Sequence, residues 1–114
     1  MKEKKSKLLI TVFLLLLINV GFSNSIKTLK FNHLTVKSGL SSNDINHINS
    51  DTTGYIWIGT EDGLNRYNGH TVDIFSHQPD DSSTISSNII RKIHVDKTGR
   101  TWIATFGGGL NLYD

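Results

Sequence analysis

Apolar positions follow two regimes along this chain. From Leu8 to Val20 they are continuous, broken only by Thr11 and Asn19. After that they come in short runs set between clusters of Gly, Asn, Asp and Ser, and no later stretch holds a 3.6-residue period long enough for a helix. Ile45, His47 and Asn49 alternate with Asn46, Ile48 and Ser50 before the turn "DTTG". "YIWIGT" then fills both parities with β-branched and aromatic residues, which predicts a strand covered on both faces. "EDG" breaks the chain, "LNRY" reads as a short third strand, and Asn68-Gly69 predicts a two-residue hairpin turn into "HTVDIF". Four short antiparallel strands in one unit are the content of a propeller blade, whose sheet packs against a neighbour on each side.

The unit recurs. Laying Leu40–Thr60 over Ile85–Thr105 gives a constant offset of 45, with identity at 11 of 21 positions: Ser41, Ser42, Asn43, Ile45, Ile48, Asp51, Thr53, Gly54, Trp57, Ile58 and Thr60. One extra residue enters the second glycine run, after which "GLNRYN" from Gly63 matches "GLNLYD" from Gly109. A period near 45 residues suits propeller blades or helical repeats, and the strand pattern chooses the blades. The fold expected is therefore all-β: β-propeller blades of four antiparallel strands, one complete and most of a second, an incomplete ring preceded by a signal-peptide helix. The expected boundaries are 1–23 for the signal peptide and 24–38 for a lead-in strand, around Phe31–Val36, that belongs to a ring-closing blade. Residues 39–79 form a blade, and 80–114 a partial one. "HQPDDSST", with the one proline, reads as the loop between blades.

The N-terminal assignment rests on order: Lys2, Lys4, Lys5 and Lys7, then the apolar run, then the small residues Gly21, Ser23 and Ser25. The run of 13 residues is short for a span, which needs roughly 20. Cleavage is expected after Ser23, with Ser25 the alternative. Charge changes accordingly. Four of the twelve basic residues and one of the ten acidic ones lie in this segment, leaving eight against nine and a net of −1. The basic character of the whole chain is thus mainly that of the leader, and nucleic-acid binding is not expected of the folded part. The absence of cysteine excludes disulfides and thiolate metal sites.

In its Leu-Ser-Ser-Asn opening, Asp-x-x-Gly turn, Trp-Ile-Gly/Ala-Thr strand and Gly-Leu-Asn-x-Tyr close, each present twice and in order, the chain resembles the two-component regulator propeller repeat. This repeat belongs to the N-terminal sensor region of Bacteroidetes-type hybrid two-component histidine kinases. The resemblance implies an exported, periplasmic sensor of paired seven-bladed propellers, held in the inner membrane by a helix that follows an immunoglobulin-like linker. Kinase, receiver and DNA-binding domains would come after these. It implies an oligosaccharide ligand derived from a glycan, transcription as the output, further blades as partners, and compatibility with a homodimer. No phosphoacceptor or nucleotide-binding motif lies in these residues, so no catalysis is expected of them. Two other readings remain open: the start of an exported propeller enzyme, a glycosidase or lyase, and a truncated gene product without independent function. Since stacked repeats need roughly three units to offset chain entropy, residues 24–114 alone are expected to be marginal or to associate.

Individual residues divide by whether they recur. Asp51, Gly54, Trp57, Gly63 and Tyr67 return as Asp96, Gly99, Trp102, Gly109 and Tyr113, and a ligand contact would not be repeated in each blade. These read as structural: a carboxylate turn with glycine at positive φ, and a packing tryptophan. Gly59 and Ala104 are expected to be small to fit beside the tryptophan ring. "DKTGRTW" also resembles the aspartate-box turn of sialidase-type propellers, itself structural. His33, His47, His70, His77 and His94 show no metal-ligand spacing, and no cofactor or metal is expected. What differs between the units is the place for specificity: Glu61 and Asp62 in the first, Phe106 in the second, on loops at one rim.

Overall fold

The computed structural model describes residues 2–17, 21 and 25–114. Two units are distinguished, Met1–Phe31 and Asn32–Asp114. The first holds the helix α1, Lys2–Leu17, in which Thr11 Oγ1 donates to the Lys7 carbonyl at 2.8 Å. Among the described residues no helix is long and apolar enough to cross a membrane. The expected cleavage point at Ser23 lies outside the described residues.

The second unit is two antiparallel sheets. One runs β1 (Ile45–Ser50), β2 (Ile56–Thr60), β3 (Gly63–Tyr67) and β4 (Val72–Phe75), each paired with the next in chain order. The other runs β5 (Ile90–Val95), β6 (Thr101–Thr105) and β7 (Gly109–Tyr113). The strands expected within the repeated units are thus present, and the two sheets share even a local irregularity, between Ile45 and His47 in one and between Ile90 and Lys92 in the other. The core lies at the seam between the sheets. Trp57 and Leu64 of the first meet Ile90, Ile93 and Ile103 of the second, all five at most 2% exposed. β2 is covered on both faces as its composition predicts: Trp57 and Gly59 face the second sheet, while Thr60 on the opposite face bonds Ser41 of the lead-in.

Three expectations change. The connection between β3 and β4 spans Asn68–Thr71, four residues, because Tyr67 pairs with Val72. Asn68 Oδ1 accepts the N–H groups of His70 and Thr71, at 2.8 Å each, and this side-chain closure replaces the two-residue turn expected at Asn68-Gly69. The segment around Phe31–Val36, expected to be a strand, pairs with no strand among the described residues. A strand is defined by its ladder, and without an adjacent edge Val36–Ser38 instead winds into a 3₁₀ turn. Gly59 is small for another reason than the tryptophan ring: a Cβ there would sit 2.9 Å from Cβ of Ile90, in the next sheet, and still closer to its Cγ2.

The repeated polar residues prove to be clasps. Asn65, fully buried, accepts the Ser41 N–H at 2.9 Å and donates to Ser41 Oγ at 2.8 Å and to the Ile58 carbonyl at 3.2 Å. Thr60 Oγ1 lies 2.9 Å from Ser41 Oγ and donates to the Gly63 carbonyl. Asn111, Ser86 and Thr105 repeat the arrangement. Each lead-in is thereby fastened to its sheet without an unpaired buried polar side chain among the described residues. A further pair sets what precedes each sheet: Asn43 Oδ1 accepts the Val36 N–H at 2.9 Å, and Asn88 Oδ1 the His77 N–H at 2.7 Å.

Candidate functional site

Two rims bound the sheets, one formed by the β1–β2 and β5–β6 turns and the other by the β2–β3 and β6–β7 hairpins. At the first, Asp51 Oδ1 accepts N–H groups of Thr53 and Tyr55 at 2.9 and 3.0 Å and the Thr53 hydroxyl at 2.7 Å, while Oδ2 accepts the Trp57 indole N–H at 2.9 Å. Asp96 makes the same set with Thr98, Arg100 and Trp102, and adds the Arg100 guanidinium at 2.8 Å. Gly54 and Gly99 complete these turns at φ +94° and +85°. The aspartates therefore build turns, and they also aim the tryptophans. That second task explains why Asp and Trp recur at a fixed separation of six residues.

Both carboxyls lie below their ordinary value of 3.8. For Asp51 partial burial works upward, but the bonds from Thr53, Trp57 and Tyr55 outweigh it. For Asp96 the Thr98 hydroxyl contributes most, followed by the Trp102 indole. A depressed carboxyl means that the unfolded chain binds more protons in acid, so the stabilisation is complete above about pH 4 and is lost as the pH falls through the folded-state value. Acid titration by circular dichroism is expected to show stability falling below about pH 4, with a shallower fall in Asp51→Asn and Asp96→Asn. An unchanged slope in both variants would remove these carboxyls from the linkage.

A cleft of about 240 Å³ opens at this rim, between Asp51, Tyr55, Trp57, Arg66, Arg100 and Tyr113. Its cations are already engaged. Arg66 pairs with Asp73 at 2.8 Å, donates to the Tyr113 hydroxyl at 2.8 Å and lies 4.7–5.8 Å from the ring centres of Tyr55, Trp57, Phe75 and Tyr113. The Asp73 bond holds its proton more tightly than usual. Tyr113 thus reaches back across the seam, its ring 4.9 Å from that of Trp57. Tyr67, its repeat partner, instead bonds the Gly69 carbonyl at 2.7 Å.

At the opposite rim the sequence-selected loops come together through a residue the sequence did not single out. Glu61 accepts from Arg91 of β5 at 3.1 Å and from Asn46 Nδ2 of β1 at 2.8 Å, and the Arg91 guanidinium lies 5.0 Å from the centre of the Phe106 ring. Phe106 is 61% exposed. Asp62 is exposed, and its N–H donates to Thr60 Oγ1 at 3.0 Å. Arg91 escaped notice because its repeat partner is Asn46 and nothing near it in sequence is acidic.

The seam carries a second set of contacts that sequence could not show. Asn46 donates to the Ile90 carbonyl at 2.8 Å, His47 Nδ1 accepts the Ile93 N–H at 3.1 Å, and Asn49 donates to the Ile93 carbonyl at 3.1 Å. The His77 ring bonds the Ile85 carbonyl at 2.8 Å. Both histidines are structural, and among the described residues no group of three or more His, Asp or Glu is placed to hold a metal.

Two sheets of this strand order, packed face to face and clasped by repeated residues, define β-propeller blades, one of four strands and one of three. Residues 39–62 match the model of the two component regulator propeller, and the chain carries that repeat. It is 37% identical over 76 residues to histidine kinase P4 of Formosa agariphila, a match covering 67% of this chain and 5% of that protein. Among solved structures it is similar to the extracellular domain of BT3049 from B. thetaiotaomicron, described as a hybrid two component system. The TM-score is 0.68 at 33% identity, over 72% of this chain and 12% of that one. The extracellular domain of BT4673 from the same organism, described as a one component system, gives 0.58 at 28% identity, over 75% and 13%. The chain therefore spans a small part of each protein it matches.

Proposed function

We propose that this chain supplies blades of an exported, ligand-sensing propeller of a two-component sensor, and that the ligand is a glycan-derived oligosaccharide. The observation that carries the ligand class is the rim at which Glu61, Arg91, Asn46 and the exposed ring of Phe106 converge from two blades. An exposed aromatic face beside charged and amide groups offers a sugar both a stacking platform and hydrogen bonds to its hydroxyls. Export is supported by the lysine-rich start of α1 and the apolar run behind it. The kinase named for the Formosa relative belongs to that protein. The role proposed for these residues is recognition, with the blade pair as a rigid mount for the rim.

Calorimetric titration of the extracellular propeller carrying these blades, against a panel of oligosaccharides, tests the reading. Binding of at least one glycan, weakened about tenfold or more in Phe106→Ala, is expected from loss of a stacking contact of about 1.4 kcal/mol. Failure of every glycan would remove sugars as the ligand class, and an unaltered affinity in Phe106→Ala would remove this rim as the site.

A further inference from the structure

We infer that the rim around Glu61 and Arg91 takes an uncharged oligosaccharide and turns away glycans that carry carboxylate or sulfate groups. The inference rests on the sugar reading of this rim and narrows the class of sugar. The cation bonded there is already engaged. Arg91 Nη1 donates to Glu61 Oε1 at 3.1 Å, and the guanidinium stands 5.0 Å from the centre of the Phe106 ring. Glu61 is fixed in turn. The Asn46 amide donates to the same Oε1 at 2.8 Å and to the Ile90 carbonyl at 2.8 Å, so both of its hydrogens are engaged. The hairpin that carries Glu61 is tied to the next blade as well, through the Gly63 N–H, which donates to the Asn88 carbonyl at 2.6 Å.

An arginine that recognises an anion presents its planar fork of donors to two oxygens. A carboxylate or sulfate entering this rim instead finds the guanidinium paired, and has to displace Glu61 or share the cation with it. Displacement is opposed by Asn46 and Gly63, which hold Glu61 from both sides of the seam. Sharing brings two negative charges to one cation, and juxtaposed like charges are a means by which binding sites suppress wrong partners. More negative charge stands around the pair. Asp62 follows Glu61 in the chain and is exposed, and Asp44, also exposed, receives the Glu61 N–H on its carbonyl at 3.1 Å. Three acidic residues thus surround one guanidinium.

A hydroxyl meets no such opposition. The ion pair is open to solvent over 48% of the Arg91 side chain and 40% of that of Glu61. Among the described residues, Glu61 Oε2 and Arg91 Nη2 make no hydrogen bond. The rim therefore offers a fixed acceptor beside a fixed donor, and a sugar hydroxyl, which both gives and accepts a bond, suits either.

Calorimetric titration of the extracellular propeller carrying these blades tests the inference with two sets of probes. Xylohexaose, cellohexaose and mannohexaose are the uncharged set; hexamers of galacturonate, of guluronate and of a sulfated galactan are the acidic one. Binding is expected in the uncharged set, with every acidic probe weaker by about tenfold or more. The affinity of the uncharged ligand is expected to be the same in low and high salt, because it forms no ion pair for salt to screen. In Glu61→Gln the guanidinium is released and one carboxylate removed, so the gap between the sets is expected to narrow by about tenfold. Asp62→Asn leaves the ion pair in place and is expected to narrow it by a smaller step; circular dichroism checks the fold of both variants. An acidic probe that binds as tightly as the best uncharged one would overturn the inference while leaving sugars as the ligand. A gap unaltered in both variants would overturn it too, by placing the discrimination at other residues. Failure of every glycan would remove the sugar reading itself, and this inference with it.

Discussion

Replacing Trp57 by alanine is expected to destabilise the propeller unit by about 3–5 kcal/mol, while the same change at Trp102 costs about half of that or less. The residues hold the same place in the repeat and make the same bond to an aspartate. They differ in burial. Trp57 is 1% exposed and packs against Phe75 and Tyr113, with ring centres at 5.8 and 4.9 Å, whereas the Trp102 face has no sheet against it among the described residues. Its removal opens a cavity at the seam, and the Asp51 carboxylate also loses its indole donor. Thermal unfolding should register the difference as a gap of many degrees, since about 1 kcal/mol moves the midpoint of a domain this size by roughly 4–8 °C. Equal midpoints would mean that the tryptophans act within their own blades and that the seam contributes little.

The second expected result concerns the closest approach between the blades. Gly59→Ala is expected to cost about 1–3 kcal/mol, because the new methyl meets Ile90. Ile90 is fully buried and cannot turn aside into solvent. Ile90→Ala removes the Cγ2 atom that the methyl strikes, at its own cost of about 2–5 kcal/mol for the cavity. In the double variant the two changes are expected to be less than additive, by about 0.5 kcal/mol or more in chemical denaturation. Strict additivity would show that Gly59 is small for a reason other than Ile90.

How much of this was legible in the sequence depends on whether a residue acts within its own blade or across the seam. Asp51, Gly54 and Trp57 act within six residues of one another, so their spacing recorded their chemistry and the 45-residue echo pointed to a turn rather than a ligand contact. Strand positions were legible for the same reason, since period-2 alternation is local. Thr60 and Asn65 were visible as repeated positions, but their task, to clasp Ser41, appears only once the lead-in folds back on the sheet. Arg91 and Asn46 were illegible because each meets Glu61 from a different strand, and Arg66 because its aromatic surroundings are assembled from three strands and the turn before β2. Phe31–Val36 misled because its composition is that of a strand, while a ladder depends on what lies alongside.

The bonds from Asn46, His47 and Asn49 to the next blade end on carbonyl and amide groups of Ile90 and Ile93, and not on side chains. Such a joint recognises the path of the neighbouring backbone and is indifferent to most of what that strand displays. Exposed positions of β5 such as Lys92 and His94 are therefore free to drift, while a change at Asn46 or Asn49 is felt at once. The side chains that make the joint are not copied from blade to blade, since Arg91, Lys92 and His94 stand in the second unit where Asn46, His47 and Asn49 stand in the first, so each seam is wired by its own polar groups onto a backbone that any sequence can offer.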